Sequence, residues 1–166
     1  MITHVECAFD GACAANGQPN ALAAWAYKIW TPKGNSEGSG PVEGAQTNQR
    51  AEVSALLHLL KALQRASGRG KLAPNCEIII EGDSAYAIKG YTEWLLNWVA
   101  RGWRNSQKKA VENRDLWEQI WELKGDDAIA ELNIRFIQVA GHSGYAHNEE
   151  VDALATAMVQ KLRAAG

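Results

Sequence analysis

One segment, Thr47 to Leu63 (TNQRAEVSALLHLLKAL), most constrains what this chain can fold into, because it places a carboxylate on the apolar stripe of a helix. Three leucines follow Glu52 by four, seven and eleven residues, the spacing of one helical face. The opposite arc of the predicted helix carries Ser54, His58, Lys61 and Arg65. A core-facing Glu52 is costly unless it is protonated, hydrogen-bonded or bound to a metal. The alternative is that Glu52 turns to water or helps cap the helix, and the segment alone leaves both open.

Composition predicts one soluble domain. With 166 residues, 46% hydrophobic and 22% charged, the chain can build one sizeable core, so we expect a single domain over residues 1–166. We find no apolar run of membrane-spanning length and no secretory signal over Met1 to Asp10, which predicts a cytoplasmic protein without a membrane partner. The three cysteines, an odd number, are predicted to be reduced thiols: Cys7, Cys13 and Cys76.

The charge balance limits how the protein could meet nucleic acid. A formal net charge of -2 disfavours a protein whose main task is to coat nucleic acid by charge. A local patch is present, since Tyr91 to Trp103 holds three of the seven tryptophans and leads into a basic stretch of Arg101, Arg104, Lys108 and Lys109. Interleaved aromatics and cations suit nucleic-acid backbones and sugars. A small helix that packs its tryptophans on the core, followed by a solvated basic loop, explains the pattern equally well.

The order of apolar patterns predicts an α/β fold. Strands are expected at Val5 to Asp10, Ala21 to Trp30, Ser39 to Glu43, Glu77 to Glu81 and Leu132 to Val139. Helices are expected at Thr47 to Leu63, in the region of Tyr86 to Trp98, at Arg114 to Lys124 and at Asn148 to Leu162. The predicted architecture is a mixed sheet of about five strands flanked by helices.

Further acids fall where such a sheet builds its sites. Asp10 and Asp83 are each predicted at a strand exit, and Asp152 lies on the margin of the last helix's apolar stripe. His142 stands between glycines in a loop, which suits a proton carrier. Taken one at a time, a turn-forming Asp10, an Asp83–Ser84 pair in which Ser84 begins a short helix as its cap, and ordinary loop polarity at His142 are also reasonable interpretations.

Taken together, the four acids Asp10, Glu52, Asp83 and Asp152 predict a site for hard cations. Converging carboxylates repel one another, and divalent ions make such a cluster tolerable. Ligands that are all oxygen favour Mg²⁺ or Mn²⁺ over zinc. Two such ions about 4 Å apart can activate a water and neutralise a leaving oxygen, as phosphodiester hydrolysis requires.

At these residues the sequence resembles ribonuclease H of the bacterial type 1 class. The matching segments are FDGAC around Asp10, TNQRAE around Glu52, GDSAY around Asp83, TEWLLNWVARGW, KKAVENRDLW and VAGHSGYAHNEEVDALA. They occur in the family's order, from near residue 5 to near residue 160. The resemblance implies a ribonuclease H-like fold and an endonuclease that cuts the RNA strand of RNA/DNA hybrids with two Mg²⁺ ions, leaving 5′-phosphate and 3′-hydroxyl ends.

The resemblance also implies roles for single residues. The four acids resemble the family's metal ligands, and His142 resembles its mobile histidine, which assists proton transfer or product departure. Asn16, Asn48 and Gln49 resemble the residues along the hybrid's minor groove, where the 2′-hydroxyl distinguishes RNA from DNA. Thr47 and Asn113 resemble a pocket for a DNA phosphate, while Trp94 and Trp98 resemble the channel for deoxyribose. Glu149 lies close to the family's supporting glutamate.

Some positions depart from the family pattern. The basic segment is reduced, because Val99, Ala100 and Glu112 stand where relatives often carry basic residues, so we expect weaker and more salt-sensitive substrate binding. Ala140 replaces a residue that is often basic in relatives, and Tyr145 replaces a frequent histidine. None of these changes removes a predicted metal ligand.

The predicted enzyme is therefore a hybrid-specific endoribonuclease that works as a monomer without an obligate protein partner. Three alternatives stay open: another nuclease on the same sheet, a catalytically weak module that binds nucleic acid, and a structural domain in which the acids are helix caps.

Overall fold

The structure, a computed structural model, describes residues 1–141 and 144–166. Its sheet has five strands in the order β3-β2-β1-β4-β5. The antiparallel pairs are β1–β2 and β2–β3, and the parallel pairs are β1–β4 and β4–β5. The strand bounds are β1 Ile2–Ala14, β2 Leu22–Thr31, β3 Gly34–Pro41, β4 Leu72–Gly82 and β5 Asn133–Gln138. The predicted mixed five-stranded sheet is confirmed.

Six α-helices flank this sheet in the part of the chain that is described. Their bounds are α1 Asn48–Gly68, α2 Ala85–Lys89, α3 Leu95–Ala100, α4 Arg114–Gly125, α5 Asp127–Ala130 and α6 Ala146–Ala165. A π-helical turn, Gly90–Trp94, joins α2 to α3. Thr47 and Ser84 begin α1 and α2 by accepting hydrogen bonds from the backbone N–H groups of Arg50 and Ala87.

The prediction that Asp10 ends its strand is wrong. Strand β1 continues to Ala14, and Asp10 pairs with Ala26 in the middle of the β1–β2 ladder. The strand persists because β2 supplies hydrogen-bonding partners past the point where the parallel partner β4 ends its pairing, at Ala8 opposite Glu81. Asp83, in contrast, follows directly on the end of β4, as predicted.

Helix α1 is buried more completely than an amphipathic surface helix. Ser54, expected on a polar outer arc, is only 4% exposed, and His58 stacks on Trp25 with ring centroids 3.7 Å apart. The reason is that α1 packs against α4 as well as against the sheet, and Trp25 of β2 lies against His58. The core between α1 and the sheet includes Phe9 and Ile80, which are fully buried.

The opposite face of the sheet is covered by α6. Ala8 and Ala26 of the sheet pack there against Val151 and Ala155 of the helix, and small side chains let the helix approach closely. Val159 completes the buried side of α6. Within residues 1–141 and 144–166, no helix combines the length and apolarity needed to cross a membrane.

Candidate active site and metal centre

Three of the predicted acids meet at one point. Asp10 from β1, Glu52 from α1 and Asp83 from the end of β4 each offer a carboxylate oxygen, and these oxygens lie within 4.8 Å of one another. Asp10 and Glu52 are buried, and Asp83 is half-buried. Residues from distant parts of the chain therefore converge as the sequence predicted, although Asp10 reaches the site from within a strand.

Gly11 allows α1 to approach β1 this closely. A Cβ atom added at Gly11 would lie 2.4 Å from the carbonyl carbon of Ala51 and 2.5 Å from the backbone nitrogen of Glu52. The Gly11 N–H also donates to Asp10 Oδ1 over 2.9 Å. A glycine beside the acid is therefore required by the packing of the helix against the strand.

Burial and mutual repulsion dominate the electrostatics of the cluster. Burial, followed by the charge of Asp83, raises the pKa of Asp10 to about 8. Burial, followed by the charges of Asp10 and Asp83, raises the pKa of Glu52 well above its usual value. A group of carboxylates in this state holds protons at neutral pH unless cations replace them.

The cluster fits a hard divalent cation. Glu52 is 7% exposed, and its Oε2 atom is buried with no hydrogen-bond partner among the described residues. A buried acceptor that the protein leaves unsatisfied is costly, and an ion ligated by oxygen would satisfy it. Since the converging donors are all carboxylate oxygens, the donor set suits Mg²⁺ or Mn²⁺ rather than a metal that prefers nitrogen or sulfur.

Asp152 approaches the same cleft from α6. It is half-buried and lines an open cleft of about 470 Å³ together with the three converging acids. Gly141 closes the cleft beside Asp83, since an added Cβ there would lie 3.0 Å from Asp83 Oδ2. The predicted proton carrier His142 lies outside the described residues.

Several predicted substrate residues lie at the start of α1. Asn48 and Gln49 line the acidic cleft. Asn16 accepts a hydrogen bond from the Asn48 N–H over 3.1 Å, which ties the loop after β1 to the helix. Thr47 uses its hydroxyl to cap α1 over 3.2 Å. Asn48 and Gln49 therefore border the cleft, and Asn16 and Thr47 contact the backbone of the same first turn of α1.

Asn113 is held from two sides by residues that sequence reasoning missed. Its Oδ1 accepts from Arg50 Nη1 over 3.4 Å, and its Nδ2 donates to the Tyr86 hydroxyl over 3.4 Å. The backbone of Asn113 is left-handed, with φ of 58°, a conformation that asparagine tolerates better than most residues. Arg50 lies two residues before Glu52, and Tyr86 three after Asp83, so closeness to the acids in sequence was the available signal.

Trp94, at the end of the π-helical turn, and Trp98, in α3, divide between surface and core. Trp98 is 8% exposed and packs edge-on against Trp117, with centroids 5.4 Å apart. Trp94 is 36% exposed and lies against Trp98 at 5.8 Å. Of the two predicted sugar contacts, Trp94 has the larger free surface and Trp98 supports it from below.

The basic segment forms an ordered loop between α3 and α4. Asn105 Oδ1 accepts from the backbone N–H groups of Gln107 and Lys109, and Arg104 donates to the Lys108 carbonyl over 3.1 Å. The guanidinium of Arg114 lies over the Trp103 ring at 5.8 Å. The predicted solvated basic loop is therefore held by its own polar contacts.

The strand order, the helix on each face and the acidic cleft together define a protein of the ribonuclease H-like class. The family profile described as RNase H matches residues 3–160. A ribonuclease H from Paramagnetospirillum magneticum is 38% identical over 160 residues, covering 96% of this chain and 92% of the relative. One from Pelobacter propionicus is 36% identical over 161 residues, covering 97% and 88%. The chain belongs to the ribonuclease H family, which confirms the resemblance seen in the sequence.

Solved structures agree with this fold. LC9-RNase H1, described as a type 1 RNase H with the type 2 active-site motif, superposes with a TM-score of 0.71 at 23% identity, covering 97% of this chain and 74% of the other. LC11-RNase H1, solved in complex with an RNA/DNA hybrid, gives a TM-score of 0.65 at 20% identity, covering 95% and 98%. At these identities the similarity supports the shared architecture.

Proposed function

We propose that this protein is an endoribonuclease that hydrolyses the RNA strand of RNA/DNA hybrids and leaves 5′-phosphate and 3′-hydroxyl ends. The proposed unit is a single domain over residues 1–166 that acts as a cytoplasmic monomer. The observation that carries the proposal is the convergence of Asp10, Glu52 and Asp83 within 4.8 Å in a cleft reached by Asp152. Membership of the ribonuclease H family supports the choice of substrate.

Asp10, Glu52, Asp83 and Asp152 would hold two Mg²⁺ ions, with Mn²⁺ as a substitute. The ions, when bound, supply activation of the attacking water and neutralisation of the charge on the departing oxygen. The buried acids of this chain contribute negative charge when cations displace their protons, and Glu52 Oε2, which has no hydrogen-bond partner among the described residues, makes the site costly until cations enter it.

In the proposed reaction, water oxygen bonds to the scissile phosphorus and the bond from phosphorus to the 3′-oxygen breaks. The 3′-oxygen gains a proton, and the phosphate stays on the 5′-oxygen. We assign proton transfer or product departure to His142, on the basis of the family resemblance alone. The group that moves the proton can be assigned through the pH dependence of a His142→Ala variant.

The proposed substrate contacts follow the polar edge of the cleft. Asn16, Asn48 and Gln49 would read the minor groove, where RNA presents 2′-hydroxyl groups. Thr47 and Asn113 would bind a phosphate of the DNA strand, and their shared neighbour Arg50 orients both ends of that pocket. Trp94, supported by Trp98, would contact deoxyribose.

The test compares cleavage of a labelled RNA/DNA hybrid with duplex RNA, duplex DNA and branched DNA, each with Mg²⁺ and with a chelator. We expect cleavage of the hybrid's RNA strand only, dependent on Mg²⁺, with fragments that end in 3′-hydroxyl. Cleavage of branched or duplex DNA at a similar rate would identify another nuclease on this fold. Hybrid binding without cleavage would identify a binding module and contradict the proposal.

A further inference from the structure

The helix that carries Asp152 has a weakly held N-terminus, where the Gly144 N–H donates to Glu149 Oε1 over a long 3.4 Å. Tyr145 occupies the N-cap position of α6, and its side chain makes no capping hydrogen bond. Asp152 lies six residues into the helix, about 9 Å along its axis at the usual rise per residue. Because the first turn of a weakly capped helix frays easily, the position of Asp152 depends on what else holds that turn.

His147, the second residue of α6, is held by the sheet. Its ring stacks on Trp30 with centroids 3.8 Å apart and planes within 10° of parallel. His147 Nε2 also lies 3.5 Å from Glu6 Oε1. Glu6 and Trp30 are direct partners in the β1–β2 ladder, so the two strands present one composite surface to the helix. We call Glu6, Trp30 and His147 the α6 clasp.

The neighbouring positions of the first turn are fixed as well. Asn148 is 2% exposed, and Val151 is fully buried. Glu150 lies 3.6 Å from the ammonium group of Lys28, another β2 side chain on the same face as Trp30. Tertiary contacts to β1 and β2 thus hold this turn where Tyr145 supplies no side-chain cap.

We infer that the α6 clasp is a positioning device for Asp152, in which Trp30 acts on the metal centre through His147. The inference rests on the proposed function, because it takes Asp152 as a metal ligand. A ligand held by a rigid turn loses little conformational entropy when the ion binds, whereas a frayed turn must first be ordered. The clasp therefore sets how much Mg²⁺ the enzyme needs.

The other face of the sheet offers a matched control. Trp25 of β2 stacks on His58 of α1 with centroids 3.7 Å apart and planes within 5°, nearly the same geometry as Trp30 on His147. His58 lies in the middle of α1, where hydrogen bonds continue on both sides of it. Loss of that stack should lower stability without releasing a helix end.

The variants to compare are His147→Ala, His147→Phe and His58→Ala. Alanine favours helix more than histidine does, so a frayed first turn in His147→Ala must come from the lost clasp. Phenylalanine keeps a stacking ring and drops the contact with Glu6. One measurement is amide hydrogen exchange over Glu149 to Asp152 without metal, and the other is the Mg²⁺ concentration that gives half-maximal hybrid cleavage.

For His147→Ala we expect about fivefold faster exchange over this turn, the size of one lost aromatic stack. Half-saturating Mg²⁺ should rise roughly tenfold, as for other residues that orient metal ligands. His147→Phe should stay close to the unsubstituted protein in both measurements, and His58→Ala should change neither.

Equal behaviour of His147→Ala and His58→Ala would overturn the inference while leaving the proposed function intact. Absence of Mg²⁺-dependent cleavage by the unsubstituted protein would contradict the proposed function itself. Exchange measured without metal still reports in that case whether the clasp holds the turn, so the two failures are distinguishable.

Discussion

Two buried charges near the start of α1 are compensated in opposite ways. Arg50 is 8% exposed and donates to Asp115 through two nitrogens, one over 2.9 Å, and to the Glu43 carbonyl over 2.6 Å. Glu52, two residues later, is 7% exposed, faces two other carboxylates and keeps one oxygen without a hydrogen-bond partner in the described part of the chain. Among the described residues, the charge of Arg50 is compensated by hydrogen-bond acceptors, whereas Glu52 keeps one oxygen without a partner.

The difference separates structural from functional burial. An ion pair with several hydrogen bonds offsets part of its desolvation cost within the fold. Converging acids have no such compensation and are tolerated by taking up protons or cations. The acidic cluster should therefore respond strongly to pH and metal in ways that the Arg50–Asp115 pair does not.

The largest expected effect comes from Asp10→Asn. Loss of one acid should lower hybrid cleavage by at least about a thousandfold, equivalent to about 4 kcal/mol of transition-state stabilisation. Folding stability without metal should stay equal or rise, because a source of repulsion is removed. Steady-state cleavage and urea unfolding measure the two effects.

Glu122→Gln serves as the control, since it removes one exposed negative charge outside the acidic cleft. We expect unchanged cleavage and stability for it. Near-normal cleavage by Asp10→Asn would remove Asp10 from the mechanism.

The next effect is a dependence of stability on pH whose sign differs between the two sites. Because the pKa of Asp10 in the folded protein is raised from 3.8 to about 8, the folded state holds a proton that the unfolded state has lost. The free energy of unfolding of the metal-free protein should therefore fall as pH rises from about 4 to 8, by on the order of a few kcal/mol. Urea unfolding across this range tests the slope.

The Arg50–Asp115 pair predicts the reverse slope. Hydrogen bonding to Arg50 lowers the pKa of Asp115, so its stabilisation is present above the ordinary pKa of aspartate and is lost as pH falls below it. Asp10→Asn should flatten the slope between pH 4 and 8, and saturating Mg²⁺ should do the same. A slope that persists in both cases would assign it to other groups.

Arg50→Met should destabilise the fold by about 2 kcal/mol, because charge-assisted hydrogen bonds to Asp115 and to the Glu43 carbonyl are lost. The loss stays moderate because the Asp115 side chain is 61% exposed and can be rehydrated. Arg114→Met is the matched control. Its exposed pair with Glu118 and its contact over the Trp103 ring are together worth at most about 1 kcal/mol. Equal losses in the two variants would contradict a special role for the buried arginine.

The smallest effect expected is stabilisation by metal. At a Mg²⁺ concentration ten times the dissociation constant, binding to the folded state alone should raise the free energy of unfolding by about 1.4 kcal/mol. Asp10→Asn should show a smaller increase at the same concentration. Thermal unfolding at constant ionic strength, with Ca²⁺ and with a monovalent salt as comparisons, separates specific binding from screening. The absence of any shift at millimolar Mg²⁺ would favour a purely structural role for the acids.

The sequence patterns predicted best those features that depend on neighbouring residues, such as the buried face of a helix and the residue at which a helix begins. Glu52 on an apolar helical stripe predicted a buried acid, and Ser84 after Asp83 predicted the start of a helix; both predictions are confirmed. Asp10 was placed correctly in the site but wrongly at a strand end, because Gly11 resembles a turn residue when read alone. In the fold, Gly11 lets α1 pack close to β1, and this contact joins segments about forty residues apart.

Contacts between residues that lie far apart in the sequence could not be predicted from local sequence patterns. Arg50 meets Asp115 and Asn113 across more than sixty residues, and His147 meets Trp30 only because α6 folds back over β2. Ser54 was expected on the polar, exposed arc of α1, but it is buried because α1 packs against α4 as well as against the sheet.

The sequence by itself therefore determined the elements, the acids and the family, since periodicity, turn chemistry and motif order are local properties. Only the tertiary structure decided which charged groups are satisfied by other segments, as Arg50 is, and which keep an oxygen without a partner among the described residues, as Glu52 does. The physical reason is that desolvation and Coulomb energy depend on distances between segments, which the folded sheet and its two helical layers alone define.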